Sequence, residues 1–192
     1  NEQARLILED MEVEIFKLGL LGSKENIATI AEIISDYPDI PLIIDPILAS
    51  GRGDAFSDID ARTMMMELLF PESLLITPNS LEARQLVSDE QEPSNLAIDA
   101  CADRFKKMGC ENILITGTHE NTENIINTLY NSSNQTIPYH WDRLPGSYHG
   151  SGCTLAAAIS AYYALGLSID EAVDEAQHFT WQTLKNGFKP GM

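Results

Sequence analysis

The chain has 192 residues and a formal net charge of −17, a length that suits one compact domain with a substantial buried core. The charge argues against nucleic acid and against an anionic membrane face as partners, because both demand basic surface. A phosphate-bearing small molecule stays admissible, since a local nest of N–H groups and a divalent cation supply a positive field whatever the net charge. Cys101, Cys110 and Cys153 form an odd set without framework spacing, read as reduced thiols of a cytoplasmic protein. No apolar run approaches the ~20 residues needed to cross a bilayer.

In chain order, the segment around Leu6, Ile7 and Met11 reads as an amphipathic helix, followed by a strand over residues 13–17. A glycine-bounded turn, 19–22, leads to a helix over roughly 25–35. Residues 41–45 form a second strand whose unbroken apolar stretch predicts burial on both faces. A Gly- and Asp-rich loop (50–58) then precedes a helix over 61–70. Residues 74–77 make a third strand, after which Asn79 opens a helix that runs through Val87. A helix over 95–108 ends at Gly109, a residue suited to the left-handed C-terminal cap. Residues 112–116 are a fourth strand. Segments 125–130 and 136–141 read as an antiparallel pair joined by a polar turn. Two helices, 153–164 and 169–186, finish the chain, the second opened by a Ser168/Glu171 capping box. Short β-rich runs alternating with helices predict a largely parallel α/β sheet. No internal repeat or linker interrupts it.

The most informative stretch runs from Leu144 into the small-residue helix after Cys153. Gly150 and Gly152 precede that helix, and Cys153 falls on its first turn. Unpaired N–H groups and the helix dipole make such a turn an anion site, and a thiol there is expected to have a lowered pKa. A glycine-rich loop that merely turns the chain into a packed helix explains the same residues. Asp45 ends a buried strand, where doubly wound sheets bind ligands. Its carboxylate would either hold Mg2+ or cap the following loop. Asn79 and Glu82 have capping-box spacing. Gly117 permits close backbone approach, and Lys17 would otherwise be a strand-end lysine reaching to water. Trp141, Tyr148, His178 and Trp181 fit core packing as well as a ligand pocket, and no His/Cys set has zinc spacing.

His149-Gly150-Ser151-Gly152-Cys153 resembles the H-G-(S/T)-G-C signature of the hydroxymethylpyrimidine/phosphomethylpyrimidine kinases. These enzymes belong to the ribokinase-like superfamily, most of which carries Asp at the Cys position. Further segments extend the likeness. The run from Lys17 to Gly22 resembles K-I-G-M-L-G, and Asp45-Pro46-Ile47-Leu48 resembles D-P-V-M. Ser50-Gly51-Arg52-Gly53-Asp54 resembles an S-G-D loop, and the run from Thr77 to Glu82 resembles T-P-N-x-x-E. Ile115-Thr116-Gly117-Thr118-His119 takes the place of V-K-G-G-H, with Thr116 where Lys is frequent.

That resemblance implies a ribokinase-like three-layer α/β/α sandwich with a mostly parallel central sheet. It implies one kinase domain over 1–192, without the family's N-terminal segment and extreme C-terminal tail. The implied activity is ATP-dependent phosphorylation of 4-amino-5-hydroxymethyl-2-methylpyrimidine and its monophosphate in thiamine biosynthesis, by a Mg2+-using homodimer. Cys153 would act as base and, with Lys17, contact the pyrimidine, while Gly150, Ser151 and Gly152 cradle the transferred phosphoryl group. Asn79, Thr116, Gly117, Gly150 and Gly152 would bind ATP, and Asp45 and Glu82 the metal. Two alternatives stay open. Pyridoxal or pyridoxine kinase activity is opposed by the cysteine, although relatives of dual activity exist. A non-catalytic pyrimidine-binding regulatory module is favoured by Thr116 and by the missing N-terminal segment.

Overall fold

Strands that are neighbours both in the chain and in a parallel sheet need a crossover, and the crossover is right-handed. When several follow in the same direction, their helices all fall on one face. A computed structural model, describing residues 1–48, 59–88 and 95–188, shows this arrangement. The elements are α1 (Glu2–Asp10), β1 (Phe16–Leu18), α2 (Lys24–Asp36), β2 (Leu42–Ile44), α3 (Ile59–Leu68), β3 (Leu75–Ile76), α4 (Ser80–Val87), α5 (Ile98–Lys107) and β4 (Asn112–Ile115). They continue with β5 (Asn124–Tyr130), β6 (Thr136–Asp142), α6 (Ser151–Ala164) and α7 (Ile169–Lys185). The strands lie in the order β1-β2-β3-β4-β5-β6. Strands β1 to β4 are parallel, and β5 and β6 close the sheet as an antiparallel pair.

Side chains that alternate along each strand feed two separate cores. Leu42, Ile44, Ile76, Ile113 and Ile115 pack with α2, α3, α4 and α5. Ile43, Leu75, Leu114 and Leu129 face the other way, onto α6 and α7. The mostly parallel three-layer sandwich expected above is therefore present. All three residues of β2 are buried, as the unbroken apolar run predicts. Buried Asn112 stitches the sheet across its middle: Nδ2 donates to Leu74 O at 2.8 Å, and Oδ1 accepts from Ser132 N at 2.9 Å.

Boundaries differ where tertiary pairing overrides local pattern. β1 is Phe16–Leu18, displaced from the expected 13–17 because its register is dictated by Leu42–Ile44 of β2. α5 starts at Ile98, three residues later than expected, with no side chain capping it. α6 starts at Ser151, two residues before Cys153. The N-terminal amphipathic helix forms, yet it buries none of its residues, and Leu6, Ile7 and Met11 are exposed. Arg5 ties it to Glu32 and Asp36 of α2. The Ser50-Gly51-Arg52-Gly53-Asp54 motif and residues 189–192 lie outside the described residues. Among the described residues no helix is long and apolar enough to cross a membrane.

Ile43 is fully buried between β1 and β3 on the α6/α7 face. Ile43→Ala should lower stability by about 2–5 kcal/mol, the usual cost of such a truncation and its residual cavity. Urea unfolding followed by circular dichroism checks it, through a lower midpoint at unchanged slope.

Candidate functional site

Because β1 to β4 run in the same direction, their carboxyl ends form a row. With neighbouring strands ~4.8 Å apart, that row is roughly 14 Å wide. Lys17 lies in β1, Asp45 directly follows β2, Asn79 precedes α4 after β3, and Thr116 directly follows β4. Backbone hydrogen bonds continue past the strands and hold these residues in register. Asp45 N donates to Leu18 O at 2.9 Å, and Thr77 N to Ile44 O at 2.9 Å. Thr116 N donates to Pro78 O at 3.0 Å, and Ser80 N to Thr116 O at 2.9 Å.

Asp45 is 5% exposed, and its Oδ2 has no hydrogen-bond partner. Lys17 Nζ lies 3.7 Å from that oxygen. Burial raises the Asp45 carboxyl above its ordinary pKa, against the opposing pull of Lys17 and a hydrogen-bonding interaction with Cys153. A buried carboxylate oxygen without a donor costs free energy unless a ligand or cation completes it. The Lys17 side chain folds over the turn that follows β1: a Cβ on Gly19 would stand 3.0 Å from Nζ.

The N-terminus of α6 meets this carboxylate. Gly150 is its N-cap at φ 86°, a left-handed conformation suited to glycine, and no side chain caps the helix. Thr154 turns inward, its N and Oγ1 both donating to Gly150 O at 2.9 Å. Ser151 Oγ is occupied by Tyr148 O at 3.2 Å. Nothing lies within 4 Å of a Cβ built on Gly150 or Gly152. Open space therefore stands in front of an uncapped helix start, the setting that takes an anion. Cys153 is exposed at this turn. Its expected acidity is corrected by its neighbours: partial burial and the negative charge of Asp45 raise the thiol above its ordinary value, outweighing the help of Lys17.

Asn79 and Glu82 form the capping box. Asn79 Oδ1 accepts from the N–H groups of Leu81 and Glu82, both at 2.9 Å, while Asn79 N donates to Glu82 Oε2 at 2.9 Å. Capping does not exhaust Glu82. Burial first, then repulsion from Asp45, pushes its carboxyl up to about 7, against the backbone bonds from Asn79 and Leu48. Two desolvated carboxyls that feel one another, one with an orphaned oxygen, fit a hard cation that takes its other ligands from water and phosphate. Among the described residues no group of three or more His, Cys, Asp and Glu gathers into an all-protein metal cage.

Thr116 reaches Asn79 through a parallel bridge. Gly117 has a different structural reason from the one its sequence suggests. A Cβ there would stand 2.2 Å from Ile126 O, so glycine is required by the close approach of β5. Its N–H is committed to Asn127 Oδ1 at 3.0 Å. Asn127 Nδ2 in turn donates to Gln177 Oε1 at 2.8 Å, and Trp141 Nε1 donates to the same oxygen at 3.1 Å. This buried network was not anticipated, although an Asn inside the apolar strand β5 was a visible signal. Arg84, also not anticipated, pairs with Glu120 beyond Gly117 at 2.6 and 3.1 Å. That pairing, foremost among its contacts, holds the Glu120 carboxyl at about 2.

Lys17, Asp45 and Cys153 thus form one group, and Asn79, Glu82 and Thr116 a second, with Glu82 close enough to Asp45 to join them electrostatically. Of the four aromatics, Trp141, His178 and Trp181 cluster, with ring centroids 4.9 and 6.1 Å from Trp141. Tyr148 instead bonds Pro145 O.

The profile of a family described as phosphomethylpyrimidine kinase matches residues 1–192. The hydroxymethylpyrimidine/phosphomethylpyrimidine kinase of Bacillus subtilis (strain 168) is 29% identical, over 97% of this chain and 69% of its own length. The thiamine biosynthesis bifunctional protein ThiED of Geobacter sulfurreducens is 30% identical, over 93% of this chain but only 36% of its own length. A solved Bacillus subtilis pyridoxal kinase in complex with ADP superposes with a TM-score of 0.87 at 25% identity, covering 99% of this chain and 72% of that one.

Glu82 offers a check on the site's electrostatics. With its carboxyl raised from 4.5 to about 7, the folded chain keeps a proton that the unfolded chain releases across that window. Its contribution to stability is therefore lost as pH rises from 4.5 to about 7. Glu82→Gln keeps an acceptor for Asn79 N and removes this titration. The variant should gain stability relative to the parent as pH rises through the window. Parallel curves in thermal melts would refute the assignment.

Proposed function

The chain belongs to the phosphomethylpyrimidine kinase family, and we propose that it transfers a phosphoryl group from ATP to the hydroxymethyl oxygen of 4-amino-5-hydroxymethyl-2-methylpyrimidine, and then to the resulting monophosphate. The observation that carries this reading is the meeting of the uncapped α6 N-terminus and Cys153 with the buried, unsatisfied Asp45 carboxylate.

Phosphoryl transfer passes through a loose transition state, so the protein's work is positioning and charge stabilisation. The N–H groups of Ser151, Gly152 and Cys153 face the space in which the γ-phosphoryl oxygens gain charge, and their dipoles are already oriented. Asp45 and Glu82 would hold Mg2+, which when bound neutralises phosphate oxygens. The acceptor oxygen bonds to the γ-phosphorus as the bond to the β-phosphate oxygen breaks and ADP departs. The hydroxyl proton passes to Cys153 Sγ. Because partial burial and the charge of Asp45 raise the thiol, its thiolate is the stronger base. Proton transfer comes late, once the acceptor oxygen has begun to bond phosphorus. Lys17 Nζ stands 3.7 Å from Asp45 Oδ2, next to this pair.

The likeness to the ADP-bound pyridoxal kinase favours pyridoxal as a second acceptor. Incubation with Mg-ATP and either acceptor, read by mass spectrometry, separates the readings. Pyrimidine mono- and diphosphate support the proposal. Pyridoxal phosphate alone moves the acceptor to the vitamin B6 series. Ligand-induced thermal stabilisation without any product marks a binding module.

Cys153→Ala should lower kcat by ~10²-fold, at the lower end for loss of a general base, while ADP affinity survives. Activity should rise with pH through the alkaline range in the parent, and this rise should vanish in the variant. Unaltered turnover would remove the base role. Gly152→Val should fold normally, because a Cβ there meets nothing within 4 Å. Its side chain would nevertheless fill the open space in front of the α6 N-terminus and should lower kcat/KM at unchanged Tm by at least the ~10²-fold expected for Cys153→Ala.

A further inference from the structure

Transfer to the monophosphate differs from transfer to the hydroxymethyl group in both charge and protons. The hydroxymethyl group is neutral, and its oxygen must lose a proton as it bonds to phosphorus. A phosphate monoester carries a charge of about −1.5 to −2 at neutral pH, so its attacking oxygen is already ionised. In the second transfer a non-bridging oxygen of the monophosphate bonds to the γ-phosphorus, the bond to the β-phosphate oxygen breaks, and ADP departs. The protein has no proton to take up. The first acceptor therefore asks for a base and the second for a cation.

The site offers one of each, on different elements. Cys153 lies on the first turn of α6, beside Asp45. The cation is Lys17 in β1. Its Nζ stands 3.7 Å from Asp45 Oδ2, which is ion-pair range but too long for a well-formed hydrogen bond, and that oxygen has no hydrogen-bond partner. The ammonium, with three donors, is thus drawn to the site without being locked there, and its side chain is 25% exposed. The turn after β1 gives it room: a Cβ on Gly19 would stand 3.0 Å from Nζ.

Other positive groups are committed elsewhere. Arg84 is held by Glu120 and Leu96 O. Arg143 donates to the carbonyls of Thr118, Glu120 and Thr122 at 2.9, 3.0 and 3.3 Å. Lys24 pairs with Asp60. Among the described residues Lys17 is the one cation that acts on both Asp45 and Cys153. The α6 N–H groups and a cation on Asp45 and Glu82 would serve the phosphates of the donor in either transfer. A second phosphate brought to this acidic rim needs a counter-charge of its own.

We infer that the two acceptors draw on different side chains of one site: Lys17 binds the phosphate of the monophosphate acceptor, and Cys153 takes a proton only from the hydroxymethyl acceptor. The inference rests on the kinase reading above.

The test compares the parent chain with Lys17→Met, Lys17→Arg and Cys153→Ala. Kinetic constants are measured separately with the hydroxymethylpyrimidine and with its monophosphate as acceptor, and the affinity for each is measured by calorimetry without nucleotide. Lys17→Met keeps the apolar stem and removes the charge. It should raise KM and Kd for the monophosphate about tenfold more than for the unphosphorylated compound, the scale of losing a hydrogen bond to a charged group. Lys17→Arg should restore most of that difference. Cys153→Ala should lower kcat far more with the hydroxymethyl acceptor than with the monophosphate. Both comparisons set two acceptors against each other on one preparation, so a loss of folded protein cancels from them. Equal penalties for the two acceptors in Lys17→Met, or no penalty, overturn the Lys17 role. Equal losses of kcat in Cys153→Ala overturn the division between the side chains. A parent that makes the monophosphate yet neither binds nor phosphorylates it further overturns this inference and leaves the first transfer standing. A parent that binds and phosphorylates neither compound overturns the kinase reading as well.

Discussion

The sequential order of the four parallel strands is the constraint on which the rest of the structure depends. A right-handed crossover from each strand to its immediate neighbour sends α2, α3, α4 and α5 to one face of the sheet. The opposite face is left for α6 and α7, which follow the β5–β6 hairpin. The same order aligns the carboxyl ends of β1 to β4 side by side, so Lys17, Asp45, Asn79 and Thr116 share one rim without any need for proximity in the chain. Reversing β5 and β6 ends the parallel run and closes the sheet with a locally connected pair. That pair supplies Asn127 and Ile126 to the back of the Gly117 turn.

The chemistry gathers where this geometry places a carboxylate out of water. Asp45 follows a strand buried on both faces, so its side chain starts from a desolvated position and keeps an oxygen without a donor. That one burial propagates to its neighbours. Burial raises the carboxyl itself, and the charge of Asp45 adds to the burial that raises Glu82 and to the partial burial that raises the Cys153 thiol on α6. The α6 dipole and Lys17 oppose the accumulated negative charge from the other side. The balance suits a site that gains both a cation and an anion when its ligands arrive: each neutralises what the protein alone leaves exposed or unpaired.

Several polar residues serve the fold and the site together. Asn79 and Glu82 cap α4, which fixes the carboxylate of Glu82 near Asp45. Gly117 is glycine because β5 passes too close for a Cβ, and its amide is secured by a buried Asn127–Gln177–Trp141 network. Capping therefore fixes where the Glu82 carboxylate stands relative to Asp45, which is what the proposed cation site would require.

By itself the sequence determined the parallel character of the sheet, the hairpin and the capping boxes at Asn79 and Ser168, because each depends on periodicity or spacing within a few residues; the three layers were implied by the family resemblance. It also marked Asp45, Asn79, Glu82 and the Gly150–Cys153 turn, since these sit at strand ends and helix starts that local pattern identifies, while Thr116 was marked through the family resemblance alone. Only the tertiary structure decided the register of β1, set by its partner β2, and the start of α5. It alone decided that the Cys153 thiol is raised, because partial burial comes from folding and the charge of Asp45 from the end of β2, over a hundred residues earlier in the chain. Arg84–Glu120 and the contacts of Arg143 were equally invisible, and Asn127 showed only as a polar residue in β5 without its partner Gln177: each bond joins elements far apart in sequence, and pairing of that kind follows from which surfaces fold against one another, a property no local spacing encodes.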